Sequence, residues 1–260
     1  MFDVSFSRAS GIAWEEYYRA IEGRPLRSLF LDAIEFLPSR EAGDQALVAV
    51  DLGCGAGTET LALLERGWAV TAVDGAPEAI ARLRASVAPE AVAQLTTVVS
   101  PFHEVELPDA DLVYASLSLP FCAPGEFREV WRRIRKALRP RAIFAGHFFG
   151  PNDSWAETPD MTFHTREELD GLFAGFDMHM LKEQDEDGEA VSGPKHWHVF
   201  HVIASKHLAS TILPVCVGLN LENAPASRRV GQRSRMSPEL GALATAVAGG
   251  QSGLASKMIR

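Results

Sequence analysis

Cysteine is scarce in this 260-residue chain: Cys54, Cys122 and Cys216 stand far apart, with no CxxC pair among them. An odd, sparse set offers no disulfide framework and fits a reducing compartment. Long apolar runs are missing too, and none approaches the roughly 20 residues a membrane span needs. The opening segment MFDVSFSRASGIAW lacks the basic stretch and apolar core of a secretory signal. Together these absences predict a cytoplasmic protein with no membrane partner. Positive charge is also in deficit, with a formal net charge of −9 at pH 7. From Ala209 onward Arg228, Arg229, Arg233, Arg235, Lys257 and Arg260 face only Glu222 and Glu239, so the preceding body is strongly acidic. Such a body repels a phosphate backbone, and nucleic acid is not expected as a partner.

What is present is a regular alternation. Apolar runs at 46–52, 69–74, 95–100, 111–116 and 142–149 are rich in Val, Ala, Ile and Leu with little polar alternation. That is the pattern of parallel strands buried on both faces. Helical periods separate several of them. Thr58 to Arg66 stops at Gly67, a natural C′ residue, and Pro77 to Ser86 opens with a first-turn proline. Phe127 to Leu138 ends before Pro140, and Thr165 with Glu168 forms a capping-box sequence for a helix running to Gly175. Repeated strand–helix–strand units predict a doubly wound α/β sheet. Two more runs, 176–183 and 197–205, are joined by the acidic segment EQDEDGEAVSGPK, which is read as a loop too short for a crossover helix. The last two strands should therefore form an antiparallel hairpin, giving seven strands in all.

Two amphipathic stretches, Trp14 to Ile21 and Leu26 to Phe36, precede the alternation. The expected organisation is an N-terminal helical lid over 1–40, an α/β domain over 41–207 and a tail over 208–260. The tail is rich in Ala, Gly and Ser and is expected to be mostly disordered, with Pro238 to Val247 as one short helical candidate.

The chemical signal lies in Asp51-Leu52-Gly53-Cys54-Gly55-Ala56-Gly57-Thr58. Glycines at 53, 55 and 57 let a strand-to-helix turn bend sharply and approach a ligand closely. The spacing is GxGxG, whereas a dinucleotide fingerprint is GxGxxG, with its third glycine where Thr58 stands. Asp51 also suits a ligand carrying ammonium and sulfonium charge better than a pyrophosphate. Asp74 ends the second apolar run, 23 residues on, where a carboxylate can accept both ribose hydroxyls. The pair marks an adenosine-containing ligand.

These residues, with the following Gly75-Ala76-Pro77-Glu78, closely resemble the class I S-adenosylmethionine-dependent methyltransferases. Within that class the chain resembles the tellurite-resistance (TehB-type) small-molecule methyltransferases. The likeness takes in Trp14, Tyr17 and Tyr18, the run Asp111 to Ser116, and His196-Trp197-His198, and spans roughly residues 10 to 206. It implies S-adenosylmethionine as cofactor and a small-molecule methyl acceptor. It also implies that Gly53, Cys54, Gly55 and Gly57 line the methionine part, and that Asp74, flanked by Gly75 and Ala76, holds the ribose. Ser116 and Leu117 would border the methyl group. Tyr17 and Tyr18 would close over the cofactor, with Arg24 near its carboxylate. Two positions depart from the family. Pro101 stands where an acid usually meets the adenine amino group, leaving Phe102 to flank the ring and His103 or Glu104 to supply a polar contact. Pro140-Arg141-Ala142 replaces the common Pro-Gly-Gly turn. The missing acid leaves a non-catalytic S-adenosylmethionine-binding or scaffold protein as the alternative reading.

Methyl transfer from a sulfonium needs alignment of the nucleophile and exclusion of water, and a base only for a protonated nucleophile. His147, near the end of the fifth run, is the leading base candidate, and His164 a second. His196 and His198, two apart on a strand, point the same way. No third metal ligand accompanies them in the pattern, so no metal is expected. Cys54 reads as a small loop residue. Cys122 has no preceding proline, and Ser118-Leu119-Pro120-Phe121 has one proline where amino-methylating DNA enzymes have two. Both weigh against nucleic-acid bases as acceptors.

Overall fold

The computed structural model describes residues 14–37 and 45–208. The boundary expected at residues 40/41 and the expected tail lie outside the described residues, apart from Leu208. Seven strands form one sheet in the order β3-β2-β1-β4-β5-β7-β6. They are β1 (Val48–Leu52), β2 (Ala69–Asp74), β3 (Leu95–Val99), β4 (Ala110–Ala115), β5 (Leu138–Phe149), β6 (Phe176–Ala190) and β7 (Gly193–Lys206). The β1–β2, β1–β4, β2–β3 and β4–β5 pairs are parallel, whereas β7 runs antiparallel to β5 and β6. The doubly wound sheet with a terminal hairpin is thus as the apolar runs indicate.

Alternation within each strand feeds two cores, one on either face. On one face Val50 and Leu52 join Val113, Phe144, Phe148 and Phe200. They pack against α5 (Pro124–Ala137) and α6 (Arg166–Leu172). Helix α5 buries Phe127, Val130, Trp131, Ile134 and Ala137, the i, i+3, i+4, i+7 stripe of an amphipathic helix. Trp131 meets Phe144 and Phe173 edge-on at 5.1 and 5.0 Å between ring centroids. On the other face Ala49, Tyr114, Ile143, Ala145 and Ile203 meet α2 (Ser28–Glu35) and α3 (Thr58–Glu65). Phe30 of α2 is wholly buried against Tyr114, so this helix belongs to the core. Helix α1 (Trp14–Ala20) precedes it in the chain.

Three boundaries differ from the sequence pattern. Helix α5 begins at Pro124, three residues early, because Pro124 takes the first-turn position. Strand β5 extends back to Leu138, through Pro140, beside a register shift opposite Ala110 and Leu112. The expected 183–195 loop is instead strand: β6 and β7 stay paired to Ala190 and Gly193 around a two-residue turn. Its side chains are polar and exposed, so no apolar alternation betrays the ribbon. Cross-strand pairs such as His196 with Asp185 and Asp187, both 2.7 Å, offset its charge. The capping box is formed as expected, with Glu168 N donating to Thr165 Oγ1 and Thr165 N to Glu168 Oε2.

Candidate cofactor and acceptor site

The order of strands along the sheet reverses between β1 and β4, with α3 and α4 (Pro77–Ser86) following β1 and β2. The carboxyl ends of β1, β2 and β4 therefore open onto the crevice where such sheets bind ligands. The β1–α3 turn is fastened to the neighbouring strand: Gly53 N and Cys54 N both donate to Val73 O, at 2.8 and 3.1 Å. Gly53 takes a φ of +77°, and a Cβ there would stand 2.3 Å from the Ser118 Cβ. Gly57, at φ +90°, is different in kind. A Cβ on it would meet Leu83 of α4 at 2.3 Å, so its smallness serves helix packing.

Two adjoining cavities share Tyr18, Gly53 and Asp74. One is largely apolar, with Trp14, Ala76, Phe102 and Phe121. The other is polar, with Arg24, Asp51, Gly55, Glu59, Ser116 and Leu117. Asp74 stands at their junction. Its carboxylate accepts from Gly55 N and Ala76 N, both at 2.9 Å. Burial pushes its pKa up, against the pull of the Ala76 and Gly55 amides. The Tyr18 phenol is held protonated by burial and by Asp74, and its ring lies 3.3 Å from where a Gly55 Cβ would be. Helix α1 thus rests directly on the glycine turn.

In the polar cavity Asp51 is buried and accepts from Thr60 Oγ1 at 2.6 Å. Arg24 forks onto Glu59 with bonds of 2.7 and 2.6 Å, and Glu59 also accepts from Arg27 N. The guanidinium lines the cavity with its charge already partnered. Leu117 carries φ +51°, an uncommon backbone for a non-glycine residue, at the rim after β4. The Cys54 thiol also lines this cavity and is held neutral by burial, as is that of Cys122 (pKa about 12), so neither offers a thiolate.

Most of the sequence-derived site residues meet here: Tyr18, Arg24, Asp51, Gly53, Cys54, Gly55, Asp74, Gly75, Ala76, Phe102, Ser116 and Leu117. Several others do not line either cavity. Gly57 faces Leu83, and His103 pairs with Glu126 at 3.1 Å and Glu104 at 3.5 Å. His147 lies behind Ser116, hydrogen-bonded to it at 3.2 Å. His164 is packed between Phe127 and Phe148, away from the cavities. Ser118, Phe121 and Glu59 escaped the sequence reading. Only Ser118 left a trace there, as a polar residue just past the fourth apolar run. On the hairpin, Glu183, Asp185 and His198 present ligand-type atoms close enough to share an ion. His198 Nδ1, however, accepts from Asn152 N, so Nε2 keeps its proton and donates to Glu183 at 3.0 Å. An ion would have to displace that proton.

A seven-stranded sheet of this order, with a glycine turn and a strand-end acid at its switch point, is the architecture this chain shares with solved methyltransferases. The profile of the methyltransferase domain family matches residues 49–141, from β1 into the start of β5. An uncharacterized methyltransferase of Synechocystis is 31% identical over 96 residues, covering 37% of this chain and 44% of the relative. The chain thus matches under half the length of that curated relative. Among solved structures, TehB from Haemophilus influenzae superposes with TM-score 0.60 at 14% identity, over 75% of this chain and 67% of that one. A Burkholderia thailandensis 1,6-didemethyltoxoflavin N1-methyltransferase, solved with S-adenosylhomocysteine, gives 0.52 at 21% identity over 75% and 85%. At those identities the likeness is one of fold. Among the described residues no helix is long and apolar enough to cross a membrane.

Proposed function

We propose that this chain binds S-adenosylmethionine and transfers its methyl group to a small-molecule acceptor. The observation that carries the reading is the bipartite cavity with Asp74 at its junction. An apolar lobe lined by aromatic rings suits a purine, a polar lobe suits an amino-acid moiety, and a carboxylate between them suits a ribose diol. Phe102 and Ala76 would flank the base. Asp51, Gly55 and Arg24 would meet the methionine part, and Ser116 and Leu117 would border the transferred methyl. When bound, the cofactor supplies an activated methyl on a positively charged sulfur.

The protein's own contribution is orientation and exclusion of water. Tyr18 on α1 walls both lobes and Trp14 the aromatic one, and this helix is the proposed lid. Tyr18 and Asp74 together line both lobes, so a ribose held by the Asp74 carboxylate would lie beside the Tyr18 side chain. The test is a screen with methyl-labelled S-adenosylmethionine over thiols, chalcogen oxyanions, carboxylates, amines and hydroxyl compounds. Label transfer to at least one class is expected. S-adenosylhomocysteine binding with no transfer to any class would instead leave a binding or scaffold protein.

A further inference from the structure

A line of hydrogen bonds leaves the polar cavity and crosses three neighbouring strands to the edge of the sheet. Ser116, just past β4, lines the cavity, and its hydroxyl lies 3.2 Å from His147 Nδ1 on β5. His147 Nε2 lies 3.0 Å from His201 Nδ1 on β7, the residue directly opposite in the strand register. His201 Nε2 lies 3.1 Å from the Oε1 of Gln184, on the edge strand β6. His147 is buried, while Ser116, His201 and Gln184 are half-buried.

Donor and acceptor roles follow from the outer end. An amide oxygen only accepts, so His201 Nε2 carries its proton and His201 Nδ1 is a lone pair. His147 Nε2 must then donate to it, which leaves His147 Nδ1 as the acceptor for the Ser116 hydroxyl. Every link runs outward. Two adjacent neutral rings in matching tautomers, without a carboxylate partner, are an unusual thing to bury. Packing alone would be served by apolar residues like Ile143 and Ile203 on the same face.

We propose that Ser116, His147, His201 and Gln184 form a proton exit path serving an acceptor that still carries its proton at neutral pH, such as an alcohol or phenol. The inference rests on the methyltransferase reading above. Methyl transfer from a sulfonium to an X–H acceptor breaks the carbon–sulfur bond, whose electron pair stays on sulfur. The acceptor's lone pair makes the new bond to carbon, and one proton is left over. That proton passes to Ser116 Oγ as the Ser116 proton moves to His147 Nδ1. The His147 Nε2 proton moves to His201 Nδ1, and the His201 Nε2 proton leaves to solvent beside Gln184. No oxidant or reductant is needed. An acceptor already ionised, such as an oxyanion, would have no use for the path.

Both rings are neutral at rest. Burial, then His201 and Arg27, push His147 well below the usual histidine range, and burial with Lys182 brings His201 to about 4. Arg27 at the start of α2, His201 on β7 and Lys182 on β6 are therefore the charged or titratable groups bearing on the pair. All of them resist a trapped imidazolium, so a proton entering the path is passed on.

Two measurements decide it. Histidine-selective 15N NMR of the full chain with S-adenosylhomocysteine at pH 7 should show His147 and His201 as neutral Nε2–H tautomers. An Nδ1–H tautomer on His147 would mean that it donates to Ser116, which reverses the path and overturns the proposal. The second uses the acceptor turned over in the screen above. His201→Phe keeps the Ser116–His147 bond and should lower kcat about 10- to 100-fold. KM and S-adenosylhomocysteine affinity should stay within about two-fold, and the deficit should shrink as rising pH ionises the acceptor. His147→Asn, which keeps a partner for Ser116, should behave likewise and covers a failure of the first variant to fold. Normal kcat in a folded variant overturns the path and leaves the methyltransferase reading intact. No label transfer by the wild-type protein overturns both.

Discussion

Asp51 offers a way to follow ligand entry through a proton. Burial pushes its carboxyl up to about 7, against the Thr60 hydroxyl, with Glu59 and Asp74 adding to the rise and Arg24 opposing it. The unfolded chain loses this proton near 3.8. The folded chain keeps it longer, so the group's stabilising contribution is complete below pH 3.8 and falls away as pH rises toward 7. The gap corresponds to about 4 kcal/mol, an order-of-magnitude ceiling. A cationic ligand beside Asp51 returns the carboxyl toward its usual range and expels the proton. S-adenosylmethionine should therefore bind more tightly as pH rises from 5.5 to 8. Calorimetry in buffers of different ionisation enthalpy should find close to one proton released at pH 6 and close to none at pH 8.5. Asp51→Asn should abolish the release. Proton release unchanged in that variant, or affinity flat with pH in the wild type, would remove Asp51 from the site.

Trp14 lines the aromatic lobe, so S-adenosylhomocysteine should change tryptophan fluorescence, and Trp14→Phe should remove most of that change; an undiminished signal would place the base elsewhere. Gly57→Ala should cost about 1–2 kcal/mol in chemical denaturation, since alanine disfavours φ +90° and meets Leu83. Because Gly57 faces α4, S-adenosylhomocysteine affinity should stay within about two-fold, and a lost affinity would put this glycine back in the ligand site. Arg141 stands at φ +66° where the related family commonly has glycine. Arg141→Gly should therefore raise stability by about 0.5–1 kcal/mol in chemical denaturation, and a loss would mean that the arginine side chain does more than occupy the turn.

The central strands and the ligand turn were legible because burial on both faces leaves continuous apolar runs, and because a close turn demands glycine at fixed spacing. Asp51 and Asp74 announced themselves as carboxylates ending apolar strands. The outer hairpin was illegible past Glu183: solvent surrounds it, and its pairing rests on backbone bonds and charge pairs that follow no hydrophobic period. The packing role of Gly57 is invisible in the motif, which shows where glycine stands and not the neighbour it faces: Leu83 lies 26 residues away. His147 was visible as a histidine near a strand end. Its partner His201 was not, because antiparallel register across β5 and β7 is fixed by the sheet as a whole.

The central claim is that Asp74 holds a ribose at the junction of two cavities, and calorimetry with S-adenosylhomocysteine tests it most directly. Asp74→Asn is the informative substitution, for it keeps an acceptor for the Gly55 or Ala76 amide while removing the charge. The wild type should bind one ligand per chain. The variant should lose about 1.5–3 kcal/mol, roughly 10- to 150-fold in dissociation constant, with its circular dichroism unchanged. A wild-type protein that does not bind, or a folded variant that binds as tightly as the wild type, would contradict the account.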